Sequence, residues 1–464
     1  LASRDPRRPN VLFILSDDQG PWALGCAGNA DIRTPHLDAL AESGLRLSRF
    51  FCASPVCSPA RASLFTGQIP SRHGVHDWLS AHHAGPGAID FLQGRRLFTD
   101  DLAEAGYRLG LVGKWHLGAN DRPRPGFVHW YAHESGGGPY HHAPIWDNGV
   151  RREVPGYLTD VLTAEAQAFI DREASQEAPF YLSLHYTAPH KPWQGQHPPE
   201  FEQLYANCAF DSCPQEPPHP WQPHEEDGAP VGGEPDTRAA LIGYYAAVTA
   251  MDAGIGRVLE TLRRHDLTAS TLVVFTSDNG FNCGHHGIWG KGNGTFPQNM
   301  YDSSVMVPFI ASQPGRIPAG QVNDTLLSAY DVRPTLLGHL GLPCDAGGPG
   351  RPFSAARREV VVHDEYGPVR MIRTTRWKYV HRYPHGPHEL YDLGLDPGER
   401  HNVIGEEPPE LHDLRARLEE WFARHADPAM DGSRLPVNGS GQHSRAGLSA
   451  FGRAPYPTEP RRWG

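Results

Sequence analysis

Asn10-Val11-Leu12-Phe13-Ile14-Leu15 is a continuous apolar run that ends in Ser16-Asp17-Asp18-Gln19-Gly20. Ser270-Thr271-Leu272-Val273-Val274-Phe275-Thr276 repeats the arrangement and ends in Ser277-Asp278-Asn279-Gly280. Apolar runs without alternation read as strands buried on both faces, the kind found in parallel sheets covered by helices. Helical patterns surround them at 34–43, where Pro35 suits a first turn, at 158–171 and at 237–264, whose apolar stripe runs through Ile242, Ala246, Met251, Ile255, Val258 and Leu262. Further strands are predicted at 45–50, 109–112, 180–185, 307–311 and 360–363. The alternation implies an α/β fold, a large mostly parallel sheet flanked by helices. Beyond about residue 353 the segments shorten to 370–374, 377–383 and 389–392, followed by an amphipathic helix at 409–424 with Leu411, Leu414, Leu418, Trp421 and Phe422 on one side. The expected division is therefore 1–353 for the main domain, 354–426 for a smaller C-terminal α+β subdomain and 427–464 for an extended tail. Residues 194–235, dense in Pro, Gly, His and acids, read as a long functional or irregular loop.

The 464 residues are 39% hydrophobic and 20% charged, a globular composition. The longest apolar runs are too short to span a bilayer, so no membrane span is expected. With 42 Lys and Arg against 53 Asp and Glu, the net charge of -11 repels a phosphate backbone, and nucleic-acid binding is not expected. Seven cysteines are too few for a disulfide framework, and no paired Cys-x-x-Cys units suggest structural zinc. Cys208 and Cys213 are close enough in sequence to bridge in an oxidising compartment. No basic-then-apolar leader stands at the N-terminus, which leaves the cytoplasm open, or the periplasm or exterior if a signal has been removed. Nothing in the sequence reports the oligomeric state.

Both acidic turns follow buried strands, at the carboxyl edge where open α/β sheets bind ligands. Asp17, Asp18, Asp278 and Asn279 together offer hard oxygen ligands, which suit Ca²⁺ first and Mg²⁺ second. Arg is the default basic residue, and Lys occurs only at 114, 191, 291 and 378. Under such a bias a remaining Lys marks a candidate site for a compact ammonium that a guanidinium cannot replace.

Cys57-Ser58-Pro59-Ala60-Arg61-Ala62-Ser63-Leu64-Phe65-Thr66-Gly67 is the sharpest motif. It resembles the signature of the type I sulfatases of the alkaline-phosphatase-like superfamily, with Ala60 where Ser is common. Gly113-Lys114-Trp115-His116-Leu117-Gly118, Ala188-Pro189-His190-Lys191-Pro192 and 284–292 fit the same resemblance in the same order. The similarity runs from Asn10 to about Leu340, and 389–397 resembles the family's C-terminal subdomain. The resemblance implies that a maturation enzyme oxidises Cys57 to formylglycine, whose hydrate attacks sulfur near Arg61. It implies that Lys114 and Lys291 grip sulfate oxygens, that His190 protonates the leaving oxygen and that His116 serves the aldehyde hydrate. His286, or His285 beside it, is expected to face substrate. Lys378 lies outside these motifs and is expected to tolerate Arg.

Aromatic and His residues between the motifs, among them His76, Trp78, Tyr140 and His141, are expected to line a polar pocket with flat walls, suited to a sulfated mono- or oligosaccharide. Two rival readings stand beside this one. A phosphonate monoester or phosphodiester hydrolase on the same scaffold is disfavoured by Asn279, where such enzymes often carry His. A metal-bearing glycan-binding protein with an ordinary thiol at Cys57 is disfavoured by the full set of catalytic residue types.

Overall fold

The computed structural model describes residues 8–80, 83–345, 347–355, 357–364, 368–383, 385–432 and 441–446. Of the expected tail, 433–440 and 447–464 lie outside these described residues.

The main sheet contains β1 (Asn10–Ser16), β2 (Leu45–Leu47), β4 (Arg108–Lys114), β5 (Phe127–His133), β6 (His141–Asp147), β7 (Val150–Tyr157), β8 (Phe180–His185), β9 (Thr271–Ser277), β12 (Phe309–Ser312) and β13 (Gln321–Asn323). Their order is β13-β2-β12-β9-β1-β8-β4-β5-β6-β7. The five central strands, β9 to β5 in that order, are mutually parallel. Most pairs are parallel, and the sheet is mixed at its flanks: β12 runs antiparallel to β9 and β2, and β6 and β7 form an antiparallel ribbon at the far edge. Two short pairs complete the main body: β3 (Phe50–Phe51) with β14 (Leu327–Ser328), and β10 (Asn282–Cys283) with β11 (Trp289–Gly290). The predicted strand at 45–50 is thus two short pieces in different sheets.

Strand β1 explains why an unbroken apolar run was needed. Val11, Phe13 and Leu15 pack into one core with Phe65, Phe98 and Leu336, while Leu12 and Ile14 pack into the opposite core with Leu162, Phe169, Met251 and Ile255. All five are fully buried, which stabilises the fold by about 1.5–3 kcal/mol each. Helices Leu158–Glu173 and Thr237–Arg264 cover the second face. The latter is long and apolar enough to cross a membrane, yet 78% of its apolar window is buried inside the fold, as a core helix requires.

The C-terminal region forms its own antiparallel sheet, ordered β15 (Glu359–Asp364), β16 (Val369–Thr374), β17 (Trp377–Arg382) and β18 (Glu389–Asp392). The segment at 360–363 therefore opens this small sheet rather than joining the large one. Helix Pro409–His425 lays Leu414, Leu418, Trp421 and Phe422 against Val361, Ile372, Tyr379 and Leu390.

Candidate active site

Parallel pairing sets Ser16 opposite Ser277, so the two acidic turns leave the sheet side by side. They are stitched together: Asp278 N–H donates to the Ser16 carbonyl at 3.2 Å, and Gln19 N–H to Ser277 Oγ at 3.1 Å. Asp18 adopts φ 62°, a left-handed conformation that side chains rarely take. Tyr244 on the long helix secures it, donating to the Asp18 carbonyl at 2.9 Å and accepting from Gly20 N–H at 3.0 Å.

Cys57 is the first residue of helix Cys57–Thr66, whose ten residues are all buried. Its Sγ lies 3.3 Å from Asp17 Oδ1, 3.8 Å from Asp18 Oδ1 and 2.7 Å from Lys291 Nζ. Ligand atoms of Asp17, Asp18, Cys57 and Asp278 all fall within 4.8 Å of one another. Lys291 also reaches Asp18 at 2.6 Å, fully buried Lys114 reaches Asp17 at 2.5 Å, and Arg61 Nε donates to Asp278 Oδ2 at 2.9 Å. Strand β4 delivers Lys114 through Gly113, at φ 107°, where a Cβ would stand 1.9 Å from the His185 carbonyl oxygen.

Burial and the neighbouring Asp278 carboxylate push Asp17 up to about 7, against the pull of Lys114. For Asp18 burial is outweighed by Lys291 and His190, which hold the carboxyl below its ordinary range. Burial and Asp17 push the Cys57 thiol well up. Asn279 donates Nδ2 to Asp18 Oδ1 at 2.8 Å, while its own Oδ1 is buried with no hydrogen-bond partner. Three carboxylates and a spare amide oxygen make a donor set for a hard cation.

Two histidines flank the cluster. His190 has Nε2 3.7 Å from Asp18 Oδ2 and gives Nδ1–H to the Lys191 carbonyl at 2.7 Å. Burial lowers it to about 4, partly offset by Asp18. His116 engages the Leu79 carbonyl through Nε2 at 2.8 Å, which leaves Nδ1 without a partner. Burial and Lys114 hold it well below the usual imidazole range.

A cavity of about 180 Å³ opens onto Asp18, His190 and Lys291, with Trp78 and Phe281 among its walls. Of the residues expected to bind substrate, Trp78 is in place. Tyr140 is buried, stacks on Tyr157 and donates its hydroxyl to the His190 carbonyl at 2.8 Å, so it braces the His190 loop rather than meeting solvent. His141 is exposed and pairs with the Gln196 carbonyl, and His76 is buried behind the loop it belongs to. His286 stacks on Tyr301 at 3.8 Å, and His285 turns to the Ser212 carbonyl, so neither lines the cavity. Cys208 and Cys213 do not bridge; both are free thiols. A larger, shallower depression of about 570 Å³ beside Asp90, Arg122 and Arg445 contains no nucleophile.

Several contributors were not anticipated. Val231 and Gly232, from the unassigned 194–235 segment, form part of the cavity wall with Phe281 and Asn293. Asn299 donates Nδ2 to the carbonyls of Lys291 and Gly292 at 3.0 and 3.2 Å. Its only sequence cue is its place shortly after the lysine motif. Far along the chain, Gln442 accepts from His76 N–H at 2.7 Å and gives its backbone N–H to the Trp78 carbonyl at 2.9 Å. Leu79 at the end of that loop donates to Ser58 Oγ, next to Cys57, at 3.2 Å.

The chain is similar to known proteins over most of its length. Residues 9–342 match the Sulfatase family, and residues 284–427 match the family described as N-sulphoglucosamine sulphohydrolase, C-terminal. An ulvan-active sulfatase of Formosa agariphila is 29% identical, over 89% of this chain and 80% of that protein. An N-acetylglucosamine-6-O-sulfatase of Bacteroides thetaiotaomicron is 26% identical, over 91% of this chain and 88% of that one. The solved structure of Ps i-CgsB in complex with k-i-k-neocarrahexaose superposes with a TM-score of 0.72 at 26% identity, covering 91% of this chain and 94% of the other. The chain belongs to the sulfatase family. It is a sulfuric ester hydrolase with the family's fold, a large mixed sheet between helices and a small antiparallel sheet behind it.

Proposed function

We propose that this sulfatase desulfates a carbohydrate, using formylglycine made from Cys57 by a maturation enzyme and a divalent cation, Ca²⁺ before Mg²⁺. The observation that carries the reading is the position of Cys57 Sγ, which shares one buried cluster with three carboxylates and the Lys291 ammonium beside an open cavity. Asp17, Asp18, Asp278 and Asn279 would hold the cation, and the unpartnered Asn279 Oδ1 is the atom such an ion satisfies. Hydrated formylglycine with the cation supplies a hydroxyl nucleophile of lowered pKa and a second hydroxyl that lets the ester collapse within the enzyme.

The chain's own residues do the rest. Asp17, Asp18 and Asp278 are balanced by Lys114, Lys291 and Arg61, so a divalent cation would leave the site net positive and matched to an anionic ester. Lys291 and Lys114 face the nucleophile and its carboxylate, where sulfate oxygens would sit. Arg61 fixes Asp278. With Nδ1–H held by the Lys191 carbonyl, His190 exchanges a proton through Nε2. Nδ1 of His116 is the atom left to take one. We read 1–353 as the unit that carries the chemistry and 354–426 as its brace. Arg382 and Lys378 donate to the carbonyls of Gln298 and Met300, at 2.8 and 2.7 Å, and Asn299 between them holds the Lys291 loop. Trp78 and Phe281 give the cavity flat apolar walls for the C–H face of a sugar ring. The saccharide-directed relatives support the same choice.

The test is co-expression with and without a formylglycine-generating enzyme, followed by peptide mass spectrometry at position 57 and by inorganic sulfate release. Sulfur should be exchanged for oxygen, and chelation should stop release until Ca²⁺ is restored. Full activity from unmodified Cys57 would refute the nucleophile. A clear preference for small aryl or alkyl sulfates over sulfated saccharides would refute the carbohydrate assignment alone.

A further inference from the structure

Lys191 stands in the same motif as His190, yet the chemistry above gives it no task. The other three lysines each meet a carboxylate: Lys114 pairs with Asp17, Lys291 with Asp18 and Lys378 with Glu399. Among the described residues no carboxylate pairs with Lys191. Its ammonium donates to the Val231 carbonyl at 2.8 Å and borders the same 180 Å³ cavity as Lys291 and Trp78. An ammonium has three N–H groups, so two remain after this bond.

The nearby acids are committed elsewhere. Glu234 accepts from Trp193 N–H at 2.7 Å and Gln194 N–H at 3.1 Å, and Asp18 takes Lys291. The Val231 carbonyl is also held in place. Gly232 after it lies so near the main body that a Cβ there would stand 2.2 Å from the Trp289 carbonyl oxygen. A part-buried ammonium on the cavity wall, fixed by one bond and with no acid partner, has two N–H groups to offer an occupant that brings negative charge.

We propose that Lys191 binds a second anionic group, a sulfate or a carboxylate elsewhere on the saccharide, so that the preferred substrate is polyanionic. This rests on the sulfated-saccharide reading and narrows it. Lys291 and Lys114 serve the ester that is cleaved. Lys191, on the wall of the same cavity, serves a charge that stays on the product.

The test uses three matched oligosaccharides: one with a single sulfate ester, one with an added sulfate and one with an added uronate carboxylate. Binding is measured by calorimetry on the unmodified protein, and kcat/KM on the matured enzyme. At least one doubly anionic ligand should be favoured about tenfold over the singly sulfated one, and the arm that leads identifies the second anion. Lys191→Gln can still donate to Val231 without a charge. It should shrink the preference to about twofold or less, while Lys191→Arg keeps most of it. Equal handling of all three ligands by the wild type would overturn the proposal. So would a Lys191→Gln variant that weakens all three alike, since that reports only a brace for Val231. If no ester releases sulfate but the calorimetric preference and its loss persist, the hydrolytic reading falls and the assignment of Lys191 stands.

Discussion

Two clusters of buried charge lie on either side of the 298–302 segment, and they behave as opposites. Behind it, Lys378 is completely buried, and its ammonium meets the Met300 carbonyl, Glu399 and, at 2.6 Å, Asp302, while Arg373 pairs with the other oxygen of Asp302 at 3.2 Å. In front of it, the Cys57 cluster carries three cations and three acids against two of each, Asn279 Oδ1 and Arg61 Nη2 are left without partners, and a cavity opens onto Lys291. The first cluster turns its charges on one another and lines none of the cavities described above, although Arg373 Nε has no hydrogen-bond partner there either. The second opens onto the cavity through Asp18 and Lys291. Buried charge and an unpartnered donor are common to both; what separates a site from a strut is access to a cavity.

The largest effect that would sharpen this contrast is expected in the rear cluster. Lys378→Met should cost about 3–5 kcal/mol of stability in denaturant titrations, because it strands Glu399 in the interior and leaves Asp302 to Arg373 alone. Adding Glu399→Gln should recover part of that loss. Lys378→Arg, which the sequence suggested would be harmless, is expected to destabilise measurably, since a fork does not fit three acceptors arranged for an ammonium. A neutral outcome for Lys378→Met would erase the distinction between the clusters.

In the front cluster the same kind of change should strike catalysis instead. Lys291→Arg and Lys114→Arg are each expected to lower kcat/KM about 100-fold, roughly 2.7 kcal/mol of transition-state stabilisation. Near-wild-type rates for both would mean neither ammonium touches sulfate.

A buried acid outside both clusters gives the subtlest test. Asp252 in the long helix is paired with no cation among the described residues and accepts from the N–H groups of Leu37 and His36, at 2.8 and 3.1 Å. Burial raises its carboxyl to about 7, with the two N–H groups pulling the other way. The native state therefore keeps a proton that the unfolded chain releases. The acid's contribution to stability is fullest below pH 4 and is lost as pH rises towards 7. Asp252→Asn should remove this dependence, so the variant should gain on the wild type as pH rises from 4 to 8. Parallel stability curves for the two proteins across that range would contradict it.

The central strands were legible because burial on both faces leaves an uninterrupted apolar run that nothing else explains. The edge was not. Strands β6 and β7 mix Trp and Ile with Arg, Glu and His, because a solvent-facing antiparallel ribbon needs only part of its surface apolar, and β5 beside them, parallel and mostly buried, also went unread because two His interrupt its apolar run. The acidic turns, the nucleophile helix and both lysine motifs could be read as local strings, and the fold brings their side chains together. Residues chosen for chemical type alone fared differently. Tyr140 and His286 found partners in Tyr157 and Tyr301 instead of the cavity. The burial of Lys378 could not be read in advance, because its partner Glu399 lies 21 positions away with no motif to join them.

The bond from His76 to Gln442 spans 366 positions of chain. At about 5–20 residues per second, a ribosome needs roughly 20–70 s to make that stretch. For that interval the loop leading back to Ser58 lacks its final clasp, and strand β9, which supplies Asp278, arrives only part-way through. Afterwards Cys57 is shut in, with 3% of its surface exposed. Any enzyme that must reach its sulfur therefore works against a clock set by translation, and the distance along the chain to Gln442 is part of how long that clock runs.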